Sequence, residues 1–266
     1  MVRAKVDLPV TYCLALRLNE GLVFLADTRT NAGVDNVGVY RKLHVLQPAA
    51  DRMFIIESAG SLATTHEVLD RIQRDLAAAD GRTSLATVDH LFEAALYLGG
   101  VSQAVAAEHR DGLRDIGVDG TATFILGGHV GEGTPDILLV YPEGNYIRAS
   151  DERPFLQIGE TKYGKFMLEL AVQANVDIDT ATSIALGSMM STAGANLSVG
   201  PPYDGCVYLK DSLKPMEFRI QSDSPLLAEL RASWERQMRN ALTEIQRISW
   251  ADETISVLTG PQEHPK

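Results

Sequence analysis

The sequence predicts an α+β fold in which two β-sheets pack face to face and helices cover their outer faces, a four-layer αββα sandwich. Predicted strands such as 22–27 (LVFLAD) are apolar along almost their whole length, which is typical of strands covered on both faces. Predicted helices come in pairs between groups of strands, which argues against a doubly wound fold with alternating strands and helices. No linker rich in Pro, Gly or Ser divides the 266 residues, so we expect one main domain.

The chain opens with four predicted strands, each a short apolar run bounded by turn signals. They span 11–18, 22–27, 42–46 and 53–60. Asn19, Glu20 and Gly21 separate the first two and predict a β-hairpin. A polar loop is expected at 30–38, and Pro48 and Asp51 are expected to break the chain between the last two strands.

Helices are predicted where the apolar spacing changes to three and four residues. The helical stretches are 61–80, 83–109, about 161–174, 178–193 and 224–248. Ser224 and Pro225 are the expected N-cap and first helical residue of the last one. Strands return between the helix pairs and after the second pair, at 121–130, 136–142, 145–150, 155–160, 205–210 and 216–221.

Composition excludes several classes of partner. The net charge of −11 and the pI of about 5.0 disfavour nucleic acid. No segment is apolar enough to span a bilayer, and residues 1–10 lack the apolar region of a secretory signal. Cys13 and Cys206 lie far apart in sequence, and a disulfide between them stays open. Nothing in the sequence requires an oxidising compartment, so we expect free, buried thiols and a cytoplasmic protein.

Neither a metal nor a cofactor is expected. None of the six histidines is spaced as a metal ligand. The glycine-rich stretch 127–133 lies between predicted strands without the lysine of a phosphate-binding loop, and it is interpreted as a hairpin loop.

Four sequence blocks carry a resemblance to a known family. They are TYCLALRLNEGLVFLADTRTNAGVDNVGVYRKLHV (11–45), ESAGSLATTHEVL (57–69), LQIGETKYGK (156–165) and NLSVGPPYDGCVY (196–208). These blocks resemble the proteasome β-type subunits of the N-terminal nucleophile hydrolases, and most of all the Anbu family of bacterial ancestral β-subunits. The resemblance implies the αββα sandwich of that class over 11–222, an N-terminal tail at 1–10 and a C-terminal helical extension at 223–266.

The resemblance also implies the residues of an active site. Thr11 is the expected nucleophile and must become the amino terminus. Asp27 and Lys42 are expected to support it, and Gly60 is expected to offer a backbone N–H to the developing oxyanion.

A second tier of residues follows from the same resemblance. Asn196 and Ser198 stand in the region where the family has polar residues that hold the terminal amine. Glu160 stands where proteasome subunits often carry the serine of Gly-Ser-Gly. Glu160 and Thr161 are equally consistent with a plain helix entry.

The chemistry explains why the position of Thr11 in the chain matters. A threonine hydroxyl is a weak nucleophile and needs a base within hydrogen-bond reach. A free α-amine, with a pKa of about 8, supplies that base on the same residue. An internal Thr11 carries an amide nitrogen, which has no such basicity.

The route to a terminal Thr11 is a hypothesis. Self-cleaving members of the superfamily usually carry glycine before the nucleophile, and here Val10 stands in that place. We favour a mis-called start: a GTG codon at position 10 would initiate with methionine, which is then removed. A cleaved propeptide is the alternative.

We expect a threonine-type peptidase subunit that attacks peptide bonds through Thr11. We expect a homo-oligomeric ring or open helical assembly, with an ATPase or ATP-grasp-type enzyme as candidate partner. Two alternatives stay open: a non-catalytic ring or scaffold subunit with a blocked Thr11, and a small-amide hydrolase working with a peptide-ligating system. Asn31, Ile55 and Glu57 are predicted to line the substrate pocket, because they are near the site in sequence.

Overall fold

The computed structural model describes residues 11–31, 37–78, 80–210 and 212–245. The predicted tail at 1–10, residues 32–36 of the predicted loop and the last part of the C-terminal extension, 246–266, lie outside the described residues. Among the described helices, none has both the length and the apolar composition that a membrane crossing requires.

The protein has a mixed α/β fold, as the sequence predicts. Its strands are β1 (Tyr12–Leu18), β2 (Gly21–Asp27), β3 (Arg29–Asn31), β4 (Val37–Val39), β5 (Leu43–Ala49), β6 (Arg52–Gly60), β7 (Ala122–Val130), β8 (Asp136–Val140), β9 (Tyr146–Arg148), β10 (Phe155–Gly159), β11 (Tyr203–Leu209) and β12 (Pro215–Ile220). Its helices are α1 (Leu62–Ala78), α2 (Leu91–Ile116), α3 (Lys162–Ala171), α4 (Ile178–Ala195) and α5 (Pro225–Glu244).

The strands form two five-stranded antiparallel sheets and a short ribbon. The first sheet has the order β10-β1-β2-β11-β12 and the second has the order β5-β6-β7-β8-β9. Strands β1 and β2 form the predicted hairpin, in which Leu18 pairs with Gly21 across a two-residue turn. Glycine is needed at position 21, because φ is +153° and a Cβ atom would lie 2.0 Å from the carbonyl oxygen of Tyr208.

Three apolar clusters show how the elements pack. Leu14 and Leu25 of the first sheet pack in one cluster with residues of α3 and α4 such as Leu168 and Met189. A second cluster joins residues of β6 and β7 to residues of α1 and α2. A third cluster lies between the sheets and contains residues of β1, β2, β6 and β7. Strand β2 is buried at all seven positions, which explains its unbroken apolar sequence.

Helix α2 was predicted to begin at residue 83, and this was wrong. It begins at Leu91, where the side chain of Glu93 accepts hydrogen bonds from the backbone N–H groups of Asp89 (2.8 Å) and His90 (3.1 Å). The helix runs through Gly99 and Gly100 to Ile116. A Cβ atom at Gly99 would lie 2.3 Å from the carbonyl oxygen of Gly144, so close packing explains that glycine.

The expected break at Pro48 was also wrong, because β5 continues through Pro48 to Ala49. Strand β5 is the edge of its sheet, and its register shifts between Leu46 and Ala49. Proline lacks a backbone N–H and is tolerated at such edges and bulges.

The ends of several strands meet at one edge of the fold. In the first sheet, Tyr12 pairs with Gly159 and Asp27 pairs with Tyr203. Across the sheets, the Cys13 thiol donates to the carbonyl oxygen of Ser58 at 3.6 Å. The last residues of β2, β6 and β10 therefore lie near the first residue of β1.

Glu57 is a buried carboxyl group in the core between the sheets. It is fully buried, and neither of its carboxyl oxygens accepts a hydrogen bond of normal geometry from the described residues. Burial raises the pKa of Glu57 well above its usual range, and the backbone of Leu25 opposes this shift only in part. A neutral carboxyl is the form that this apolar environment favours.

The pH dependence of stability tests this assignment. The folded state keeps the Glu57 proton at pH values where the unfolded chain releases it. The stabilising contribution is therefore complete below the unfolded pKa and is lost as pH rises above it, by about 1.4 kcal/mol per pH unit. We measure the free energies of unfolding of Glu57→Gln and of the wild type by urea denaturation. The value of the variant minus that of the wild type should increase by about 1.4 kcal/mol per pH unit from pH 5 upward. The exposed change Glu132→Gln is the control, and an equal slope in all three proteins would contradict the assignment.

Candidate active site

Asp27 is the hub of a polar site at the edge where the strand ends meet. Its Oδ1 atom accepts hydrogen bonds from Thr11 Oγ1 at 3.3 Å, Lys42 Nζ at 2.7 Å and the backbone N–H of Tyr12 at 3.0 Å. Its Oδ2 atom accepts from the backbone N–H of Gly200 at 3.3 Å. The structure thus brings Thr11, Asp27 and Lys42 into contact around one carboxylate.

Lys42 holds a positive charge in the interior. The residue is only 6% exposed, and Asp27 is fully buried. Besides its ion pair with Asp27, Nζ donates to the carbonyl oxygen of Arg29 at 2.6 Å. A buried charge is tolerated when it is paired and hydrogen-bonded, and both conditions are met here.

The ionisation of Asp27 depends on this ion pair. Burial raises the pKa of Asp27, and the ammonium group of Lys42 and the N–H groups of Tyr12 and Gly200 oppose that shift. Without Lys42, only hydrogen bonds would oppose the effect of burial, and the pKa of Asp27 would be higher than it is with Lys42 present.

Thr11 and the next residue, Tyr12, are held in place by hydrogen bonds to neighbouring segments. The carbonyl oxygen of Thr11 accepts from the backbone N–H of Glu160 at 2.6 Å. The buried Tyr12 hydroxyl is hydrogen-bonded to Ser188 Oγ at 2.8 Å and to the side-chain amide of Gln157. These contacts set the position of Thr11 relative to Asp27.

Sequence reasoning did not single out Gly200. Thr28 donates to the carbonyl oxygen of Pro202 through its backbone N–H (3.1 Å) and its hydroxyl (2.7 Å), which holds the segment with Gly200 next to Asp27. A Cβ atom at Gly200 would lie 2.5 Å from the Arg29 guanidinium carbon. The run Gly200-Pro201-Pro202 was a visible signal of a special backbone in this segment.

Gly60 lies at the junction between β6 and α1, as predicted. Its φ is +108°, and a Cβ atom there would lie 2.5 Å from the carbonyl oxygen of Thr121. The next residue, Ser61, donates its backbone N–H to that same oxygen at 2.9 Å. Both the backbone angle and the close approach therefore require glycine at this position.

The second-tier residues form a chain of contacts that reaches Thr11. Asn196 Nδ2 donates to Glu160 Oε2 at 3.2 Å, and Asn196 Oδ1 accepts from the backbone N–H of Ser198 at 2.9 Å. The Glu160 backbone contacts Thr11, as described above. Thr161 is the N-cap residue of α3, without a side-chain capping bond.

A small cleft opens beside Thr11. It is lined by Thr11, Arg29, Thr30, Lys42, Ser58, Ala59, Gly60, Leu62 and Thr65. Ile55 and Glu57 were predicted to line the substrate pocket, and this was wrong, because both are fully buried in the core between the sheets. The side chain of Asn31 lies outside the described part of the chain.

Comparison with solved structures finds close relatives over most of the chain. An Anbu (Gly-1) mutant from Hyphomicrobium sp. strain MC1 is 37% identical, with a TM-score of 0.82, over 90% of this chain and 99% of that chain. Anbu (ancestral β-subunit) from Yersinia bercovieri is 35% identical, with a TM-score of 0.84, over 91% and 100%. The helical assembly of the Anbu complex from Pseudomonas aeruginosa is 34% identical, with a TM-score of 0.83, over 91% and 99%. No protein-family profile and no curated protein matches the chain.

Substitution of Lys42 tests the buried ion pair. Lys42→Met leaves the Asp27 carboxylate buried without a cation, and we expect the free energy of unfolding to fall by about 3–5 kcal/mol at pH 7.5. The loss should shrink as pH is lowered, because the raised pKa of Asp27 then lets the folded state bind a proton.

Urea denaturation at pH 5 and pH 7.5 measures both effects. The matched control is Lys214→Met at an exposed lysine, with an expected change within about 0.5 kcal/mol. An effect of Lys42→Met no larger than that of the control would show that the pair is not an energetic unit.

Proposed function

The chain belongs to the Anbu family of proteasome-related ancestral β-subunits, and on this premise we propose that it is a threonine-type amide hydrolase, a proteasome-like peptidase subunit with Thr11 as nucleophile. One observation carries the proposal. Asp27 Oδ1 accepts hydrogen bonds from both Thr11 Oγ1 (3.3 Å) and Lys42 Nζ (2.7 Å), next to a cleft that Thr11 and Gly60 line.

The fold class and the domain limits proposed here are those of an N-terminal nucleophile hydrolase. The packing of helices on the outer faces of two facing sheets supports a four-layer αββα sandwich of the N-terminal nucleophile hydrolase type. The hydrolase domain is 11–222, with a helical extension from 223. Residues 1–10 are absent from the working protein, which is cytoplasmic.

The reaction begins at the free amine of Thr11. The amine takes the proton of Thr11 Oγ1 as that oxygen bonds to the substrate carbonyl carbon, and the π electrons of the carbonyl move to its oxygen. The N–H of Gly60 stabilises the resulting oxyanion. When the C–N bond breaks, the Thr11 ammonium returns the proton to the leaving nitrogen, and an ester to Thr11 remains. Water then hydrolyses that ester by the reverse sequence of proton transfers.

The buried ion pair tunes this chemistry. The Lys42 ammonium favours the developing negative charge on Thr11 Oγ1 and helps to keep the Thr11 amine neutral. Asp27 orients both groups through one oxygen. Glu160, Asn196 and Ser198 hold the amine in position, and the contact between Glu160 and Asn196 supports their acting together.

We also propose that the chain self-assembles into a homo-oligomeric ring or an open helical assembly. The relative from Pseudomonas aeruginosa forms a helical assembly. Here Tyr163, Phe166 and Leu170 lie on one side of α3, and the last two are 71% and 72% exposed. An apolar surface of this kind is typical of a subunit contact.

A scaffold subunit without activity is the second candidate. Thr11 is only 4% exposed in the full chain, where its nitrogen is part of a peptide bond. A subunit that keeps this bond would assemble without a nucleophile.

A form that begins at Thr11 discriminates between the two candidates. We expect it to cleave members of a peptide library, with products identified by mass spectrometry, because its amine can activate the hydroxyl. A form with one glycine before Thr11 keeps the hydroxyl but loses the basic amine, and Thr11→Val loses the hydroxyl. Both should lose at least about 1,000-fold in rate.

Intact mass should show that the natively expressed protein also begins at Thr11. Sedimentation should show assemblies of equal size for all these forms. An intact assembly with a verified free Thr11 and no cleavage would support the scaffold and overturn the enzyme.

A further inference from the structure

A second, larger cavity adjoins the candidate active site. It has a volume of about 440 Å³, within the range of roughly 300–1,000 Å³ that is typical of small-ligand sites. It meets the small cleft at Ala59 and Gly60, which line both spaces. Residues of β7, β8 and β10 line the cavity, whereas residues of α1 and of the segment after β2 line the cleft.

The wall of this cavity carries two carboxylates, one of which, Asp119, also lines a neighbouring cavity that contains Arg110 and Arg114. Asp119 and Glu160 line the cavity beside the active site, together with the polar residues Thr121, Thr123, Tyr141 and Gln157. No lysine or arginine is among its lining residues in the described chain. Neither carboxylate takes part in an ion pair within the described residues: Asp119 accepts from the backbone N–H of Thr121 at 2.9 Å, and Glu160 accepts from Asn196.

The proposed reaction relates this cavity to the leaving side of the substrate. The proton taken from Thr11 has to return to the leaving nitrogen, so the leaving part must lie beside the Thr11 amine. The backbone N–H of Glu160 donates a hydrogen bond to the carbonyl oxygen of Thr11, and Glu160 also lines the larger cavity. In the proposed reaction the larger cavity is thus assigned to the leaving part, and the cleft beside Lys42 is assigned to the acyl part.

We propose that the cavity binds the leaving-amine part of the substrate and that Asp119 and Glu160 select a cationic group there. The substrate class is thus a peptide with lysine or arginine directly after the cleaved bond. Leu139 and Ile158, which also line the cavity, suit the aliphatic part of such a side chain. This inference rests on the proposed function.

Binding of leaving-fragment peptides tests the inference separately from cleavage. The natively expressed assembly carrying Thr11→Ala is titrated with Lys-Ala-Ala and with norleucine-Ala-Ala, each with a C-terminal fluorophore, and fluorescence anisotropy is recorded. We expect the lysine peptide to bind about 10-fold more tightly at low salt, and the difference to shrink at high salt.

Asp119→Asn removes one charge but keeps an oxygen acceptor for the Thr121 N–H. It should weaken binding of the lysine peptide about 3- to 10-fold and leave binding of the norleucine peptide unchanged. Glu160→Gln should also weaken binding of the lysine peptide. The matched control is Asp89→Asn, at the opposite end of the 26-residue helix α2, about 39 Å away from the end nearest Asp119.

Equal binding of the two peptides, no binding of either, or equal losses with Asp119→Asn would overturn the inference. Selective binding without any cleavage by the form that begins at Thr11 would overturn the proposed function, and the selection of a cationic group by the cavity would remain. Cleavage without a preference for lysine or arginine would overturn this inference alone.

Discussion

A lysine ammonium held against a carboxylate inside the protein is the interaction on which the candidate site depends. Lys42 and Asp27 come from segments that pair within different sheets, so their contact requires the two sheets to face each other at the correct distance. Removal from water costs each charge several kcal/mol, and their mutual attraction and the hydrogen bonds from Tyr12 and Gly200 offset that cost. The Thr11 hydroxyl donates a hydrogen bond to the same Asp27 oxygen, so a change in the distance between the sheets would displace that hydroxyl as well.

The limits of sequence reasoning follow from the physics of each element. The β1–β2 hairpin was predictable because apolar runs and a turn signal are local properties. The start of α2 was not, because the cap combines His90 with Glu93 and the apolar spacing begins earlier. The error at Glu57 arose because nearness in sequence says nothing about direction: successive strand residues point to opposite faces, and Glu57 points into the core. No pattern in the chain predicts that Thr11, Asp27 and Lys42 meet. That prediction came from the resemblance of whole blocks to a family.

Gly60 lies between the small cleft and the large cavity and lines both of them. It ends β6 with a backbone angle that other residues rarely adopt. An oxyanion donor at this junction would hold a carbonyl group between an acyl side and a leaving side. The acyl side carries the positive charge of Lys42, and the leaving side carries the negative charges of Asp119 and Glu160. One glycine thus lies where catalysis and the choice of substrate would meet.

Covalent labelling of the protein that begins at Thr11 shows whether the Thr11 amine activates its own hydroxyl. The label is a peptide β-lactone, the rate is followed over a range of pH, and the labelled residue is identified by mass spectrometry. We expect one label per chain, on Thr11 Oγ1. The labelling rate should rise in a single step as the amine loses its proton, below the pKa of about 8 of an unperturbed α-amine because the Lys42 ammonium disfavours a second positive charge nearby. Labelling should be lost when that amine is acetylated. A label on another residue, or an unchanged rate after acetylation, would contradict the claim that the amine of Thr11 activates its own hydroxyl.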